Sequence, residues 1–253
     1  MNSFFVFARK ELEEQIKTFK GVAIAAVLLI FGMSSPLLAK LTPEIIKSVG
    51  VGITIKMPDP TYLDAYSQFF KNISQMAIII IMLVYVGAVV AETTKGTATL
   101  MLTKRLSRTS FILSKFLSAA IVWTVSYAGS AVLCAIYTVY LFPKGSPSHL
   151  VLAFFCMWLF GIITLGIALF ASAVFKNYTL AAIGGFVIWG LLLLSSALPK
   201  IKDYMPAFLT TGNMQILSGS CPPGTAIVPV IAGIVLTAML LTLACLIFHR
   251  REL

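Results

Sequence analysis

"AETTKGTATLMLTKRLSRTSFILSK", residues 91–115, is the densest polar and basic stretch of the chain, and uncharged apolar runs lie on both sides of it. Ser74–Ala91 precedes it and Phe116–Phe142 follows. Each run is near or above the ~20 residues that carry an α-helix across about 30 Å of hydrocarbon. A loop with this much charge, bounded by two such runs, predicts two membrane helices joined outside the bilayer.

Working outward, four further uncharged runs appear: Gly21–Ala39, Leu150–Phe175, Thr179–Leu198 and Ala226–Phe248. Of the 253 residues 59% are hydrophobic and only 11% charged, against about 25% charged in soluble domains. The expected fold class is therefore an all-α polytopic membrane protein, a single transmembrane domain over residues 1–253 with six spans between 21 and 248. The first twenty residues mix acids and bases too evenly for a cleavable leader.

Six spans put both termini on one side, and basic residues choose which. Residues 1–20, 92–115, 176–178 and 249–253 hold twelve Lys and Arg, including both arginines of the tail. The opposite flanks, 40–73, 143–149 and 199–225, are longer yet hold seven lysines and no arginine. Both termini are expected in the cytoplasm. The net charge of +10 then reads as orientation and contact with anionic lipid, not as nucleic-acid binding.

Before the first span, "SFFVFARKELEEQIKTFKG" repeats Phe5, Ala8, Leu12, Ile16 and Phe19 at three- and four-residue steps, one face of an amphipathic helix. Residues 1–20 are expected to form an interfacial helix in the inner headgroup layer, with Phe5, Leu12 and Ile16 towards lipid. Its charges are Arg9, Lys10, Glu11, Glu13, Glu14 and Lys17. A simple anchor and a partner-docking element are both open readings. Segment 40–73 reads as a long outer loop with short helices at "TPEIIKSV" and "TYLDAYSQFFK", and 199–225 as irregular chain with a short surface helix. The "KNY" link at 176–178 makes spans four and five antiparallel neighbours. Ser126, Gly129, Ser130, Gly161, Thr164, Gly166, Gly184, Gly185 and Gly190 read as close helix packing, with a polar path as the alternative.

Catalytic chemistry is sparse. The spans so drawn contain no Asp, Glu, Lys, Arg or His, and the two histidines, His149 and His249, sit at span ends. Metal-ligand clusters and nucleophile motifs are missing from the sequence. "KGT" at 95–97 has the wrong order for a phosphate-binding loop. The four cysteines make no loop disulfide framework, three of them lying in spans. Intramembrane charges of the kind ion-coupled carriers use are not seen. The chain is not expected to be an enzyme or to bind a cofactor.

The loop itself reads either as a topology signal or as a docking lever for a cytoplasmic partner. Ala98, Met101, Leu102 and Leu106 form a moderate apolar stripe, and Ser107 is a candidate N-cap for the third span. Residues 91–115 resemble the cytoplasmic loop of the type-2 (ABC-2) permease subunits of ATP-binding-cassette exporters. That family's loop commonly reads E-R-E-S-G-T-L-E-L-L-L-S-T-P-V-S-R, with a lysine seven residues further on. Glu92, Gly96, Thr97, Leu100, Leu102, Ser107, Arg108 and Lys115 match it without a gap, while Thr94, Thr99, Arg105 and Ser114 depart. The tail "FHRREL" and Lys10-Glu11-Leu12 near the start are similar to the family's too.

The resemblance implies a permease that pairs with a second permease subunit, as a homodimer, and with two copies of a cytoplasmic ATPase subunit that uses ATP and Mg. It implies that the coupling loop, 92–115, transmits ATPase closure to the spans. Glu92 and Gly96 would end the second span and turn the chain, with Thr97 in the turn. Met101, Leu102 and Leu106 would enter a cleft on the ATPase, with Lys104, Arg105 and Arg108 at its rim or on lipid phosphates and Lys115 at the loop's far end. A stand-alone carrier or channel, or a non-transporting scaffold or immunity-type protein, is the alternative.

Overall fold

The computed structural model describes residues 3–49, 59–97, 101, 107–143, 145 and 147–250. Those residues are mostly helical, with no strand among them, and six of the helices are long and apolar enough to cross a membrane. They are preceded by α1 (Ser3–Lys17) and comprise α2 (Lys20–Val49), α3 (Tyr62–Thr94), α4 (Arg108–Leu141), α5 (Leu150–Val174), α6 (Tyr178–Leu194) and α7 (Ile227–Arg250).

The first two spans overrun their expected limits. "TPEIIKSV" and "TYLDAYSQFFK" are not separate loop helices but continuations of α2 and α3. Pro36 and Pro43 lie inside α2, so proline does not stop a helix here that is held along its side. Thr61 begins α3 with a reciprocal cap, its backbone N–H donating to Asp64 Oδ2 at 2.8 Å. The far-end segment also departs from expectation: Phe208–Thr211 and Asn213–Leu217 are short helices, but Phe208, Leu209, Ile216 and Leu217 are buried rather than spread on the surface.

α5 is the most buried span and forms the centre, with α3, α4, α6 and α7 packed on it. α2 lies along α4, and their contact shows why small residues recur. At Gly32 a methyl group would stand 2.5 Å from the Ser130 carbonyl oxygen, while Ser130 Oγ donates to the Leu28 carbonyl. Gly161 leaves room for the indole of Trp123, whose Nε1 donates to the Trp158 carbonyl at 2.9 Å. Gly166 faces Thr237, and Gly185 faces Met82. In lipid, where apolar burial gives little drive to helix association, such approach is the main source of cohesion. Gly190 has open space instead.

α3 is interrupted twice. A π-helical turn covers Ile73–Ala77, and the α-helix stops after Tyr85 and restarts at Val90. The second break frees backbone donors inside the bundle, and Ser172 on α5 takes two of them: its Oγ accepts from Val89 N at 2.9 Å and Val90 N at 3.1 Å. Glu92 lies in the restarted turn and pairs with Lys115 of α4.

Gly32→Ala should separate α2 from α4 at a backbone contact that no rotamer change can relieve, a loss of about 1–3 kcal/mol. Its thermal midpoint in detergent is expected to fall clearly, whereas Gly190→Ala should leave it unchanged. Equal midpoints for the two variants would contradict the packing described.

Candidate functional site

α1 and the base of α4 run side by side in register, and residues three or four apart on each share a face. Phe7 packs on Phe111 with ring centroids 5.8 Å apart. One turn on, Lys115 Nζ donates to Glu11 Oε2 at 2.8 Å. A further turn on, Gln15 Nε2 donates to Ser118 Oγ at 2.9 Å. Tyr85 on α3 joins this rung by donating to Gln15 Oε1 at 2.7 Å. The helix thus buries Phe7, Ala8 and Glu11 against the bundle. Phe5, Ile16 and Phe19 of the expected apolar stripe stand exposed, and Leu12 is half-buried.

Lys115 is the centre of the site. Only 4% of its side chain is exposed, and its ammonium also pairs with Glu92 Oε1. It lies 5.0 Å from the centre of the Phe111 ring, a cation–π distance. Glu11 comes from α1, Glu92 from the end of α3 and Lys115 from α4, so one ammonium joins three elements. Reading the third span from Phe116 left Lys115 outside by one residue. The helix starts at Arg108, and the spans therefore do carry a buried charge.

The ends of the loop are held on both sides of this triad. Gly96 turns the chain with φ +71°, and Thr97 Oγ1 donates to the Glu92 carbonyl at 3.2 Å. Ser107 caps α4 by accepting from Ser110 N at 3.0 Å, as its residue type predicts. Arg108 does not stand at a free rim. Its Nη1 donates to the Phe248 and His249 carbonyls at 3.0 and 2.9 Å, covering the C-terminal end of α7. The Phe111 and Phe248 rings stack at 5.3 Å beside it. N-terminal helix, loop ends and the end of α7 therefore share one end of the bundle.

Met101 is half-buried and packs with the Phe7, Phe111 and Phe248 cluster, 4.0 Å from Lys10 Nζ. Leu102, Lys104, Arg105 and Leu106 lie outside the described residues, as does the rest of the tail beyond Arg250. Along α1, Arg9 pairs with Glu13 at 3.0 Å and Lys10 with Glu14 at 3.0 Å.

Burial acts to lower the affinity of Lys10 for its proton. The hydrogen bond to Glu14, with the charges of Glu11, Glu14 and Glu92, overcomes this and raises its pKa. The hydrogen bond from Lys10 in turn holds the Glu14 carboxyl below its usual range, against a smaller opposing effect of burial. Glu14's contribution to stability is present above the ordinary carboxylate pKa and lost as pH falls through its depressed value. Lys10's is present below the ordinary lysine pKa and lost as pH rises through its raised value. The pair is ionised near neutrality.

Between α1, the start of α2 and the end of α3 lies a cleft of about 350 Å³ that includes Glu11, Glu92 and Lys115 in its lining. The sequence had marked Glu92 and Lys115 as loop ends and Glu11 as a helix charge. What it lacked was their pairing, since 81 and 104 positions separate Glu11 from the other two.

Six helices long and apolar enough to cross a membrane define a multi-pass membrane protein. The family model for the ABC-2 family transporter proteins matches residues 5–253, and the chain belongs to that family. It is also similar to the uncharacterized transmembrane protein YxlG of Bacillus subtilis (strain 168), at 24% identity over 223 residues, 86% of each chain.

Lys115→Met would leave the buried Glu11 carboxylate and the partly buried Glu92 carboxylate without their cation, a loss of about 3–5 kcal/mol. A large drop in thermal midpoint is expected, with much of it regained when Glu11→Gln and Glu92→Gln are added. An unchanged midpoint in the single variant would mean that water, not Lys115, compensates these charges.

Proposed function

We propose that the chain is the membrane-spanning permease subunit of an ATP-binding-cassette exporter, with both termini in the cytoplasm. It works with a second copy of itself and with two copies of a separate ATPase subunit. ATP and Mg act on that partner, and this chain supplies no catalytic group and binds no cofactor. Membership in the ABC-2 family over nearly the whole chain supports the assignment. The observation that carries the mechanism is the Glu11–Lys115–Glu92 triad, which ties both ends of the loop to each other and to α1.

A loop whose two ends were free would absorb a push from a partner by bending. Here Glu92 and Lys115 are paired, so force on residues 92–115 reaches α3 and α4 together. Arg108 carries it to α7 through two hydrogen bonds. The partner's nucleotide state would then bias a two-state arrangement of spans. The apolar residues offered to the partner are Met101, Leu102 and Leu106, and Leu102 and Leu106 make the cleaner probes because Met101 is half covered by its own protein. The basic Lys104 and Arg105 fall between Leu102 and Leu106 in the sequence.

The test is mild detergent extraction from the native host, followed by isolation of the chain and assay for bound ATP-hydrolysing protein. Wild type should bring down such a protein, and Leu102→Asp/Leu106→Asp, shown to insert normally, should lose at least about tenfold of it, as expected when buried interface anchors are replaced by charge. Failure to recover any ATPase with wild type would favour a chain that acts alone.

A further inference from the structure

The cleft beside the triad has a donor deficit. Lys115 takes Glu11 Oε2 and Glu92 Oε1, and the other oxygens, Glu11 Oε1 and Glu92 Oε2, are buried and accept no hydrogen bond. Lys10 Nζ stands 3.6 Å from Glu11 Oε1, beyond hydrogen-bond length and engaged with Glu14. Glu11 is only 6% exposed and lines the cleft. A buried acceptor left without a donor is costly, more so when charged. Both carboxylates converge on one ammonium, and each keeps one oxygen without a donor.

The mouth has the opposite character. Lys20 and Lys95 line it and are exposed, beside the Lys10–Glu14 ion pair, which lines it too and is neutral as a pair. A bare cation would meet these lysines, and a bare phosphate would meet the glutamates. A group that carries a phosphate and a primary ammonium a few bonds apart satisfies both. The walls continue as apolar surface: Val84, Gly87 and Ala88 of α3 line the cleft, and Phe19 at the α1–α2 junction is 73% exposed. The volume of about 350 Å³ falls within the range of small-ligand sites, roughly 300–1,000 Å³.

We propose that this cleft binds the headgroup of an aminophospholipid of the phosphatidylethanolamine class. The ammonium donates to Glu11 Oε1 and Glu92 Oε2, the phosphate rests on Lys20 and Lys95, and the acyl chains leave along the apolar wall between α2 and α3. A primary ammonium has three donors, whereas a trimethylated headgroup has none and a glycerol headgroup lacks the charge. The site fills the gap between α1 and the end of α3, so its occupancy braces the triad. It stands whether or not an ATPase partner exists.

The test is delipidated, purified protein in detergent, titrated with short-chain phosphatidylethanolamine, phosphatidylglycerol, phosphatidylcholine and water-soluble phosphoethanolamine, with bound species counted by native mass spectrometry. Wild type should hold phosphatidylethanolamine about tenfold more tightly than the other two lipids, the loss expected for a charge-assisted hydrogen bond. Glu11→Gln should remove the preference while leaving general lipid binding. Lys20→Ala/Lys95→Ala, at exposed positions that leave the fold intact, should weaken all three lipids. Equal binding of the three by wild type, or a preference that survives Glu11→Gln, would overturn the proposal. So would phosphoethanolamine binding as tightly as the lipid, which would make the ligand a free metabolite.

Discussion

A lysine that leaves water at the edge of a membrane must be met by negative charge, and Lys115 organises this protein on that condition. Its ammonium is covered on one side by the Phe7 and Phe111 rings and met on the other by two carboxylates. Each partner belongs to a different helix, so the electrostatic requirement becomes a positional one. α1 must lie beside α4, and α3 must end where Glu92 can reach.

The rest of the bundle serves that meeting by other forces. Lipid offers no competing donors, so a helix can break inside the bundle only where protein supplies partners. Ser172 does so for Val89 and Val90, at the start of the turn that carries Glu92. Shape does the remaining work. Gly32 against Ser130 and Gly161 against Trp123 let α2 and α5 close on α4. At the terminal end Arg108 and the Phe111–Phe248 stack bring in α7.

Much of this was legible in the residues. Six apolar runs marked six spans, because crossing hydrocarbon leaves few compositional choices. Ser107 read correctly as a cap, since capping acts through local backbone chemistry. The outer limits of α2 and α3 were misread because Pro43 and polar residues such as Asp64 signal loops in a short window, while side-by-side packing of two helices outside the apolar zone has no periodic mark of its own. On α1 the apolar stripe leaves Phe5, Ile16 and Phe19 exposed, and the face turned to the bundle contains Glu11, which hydropathy assigns to water. The triad was invisible because pairing across 104 residues is a property of the fold. The loop residues Glu92 and Lys115 were singled out through family resemblance, which indicates position without naming a partner.

The order of synthesis gives the triad a further meaning. Glu11 emerges from the ribosome first, Glu92 much later, and Lys115 last of the three. Until that lysine appears, neither acid can leave the hydrated surface, so α1 and the end of α3 have no electrostatic reason to settle. Once α4 enters the membrane with Lys115 at its base, both acids can be withdrawn from water together. The third span then acts as the timekeeper of assembly, closing the terminal end of the bundle only after the first half of the chain is in place.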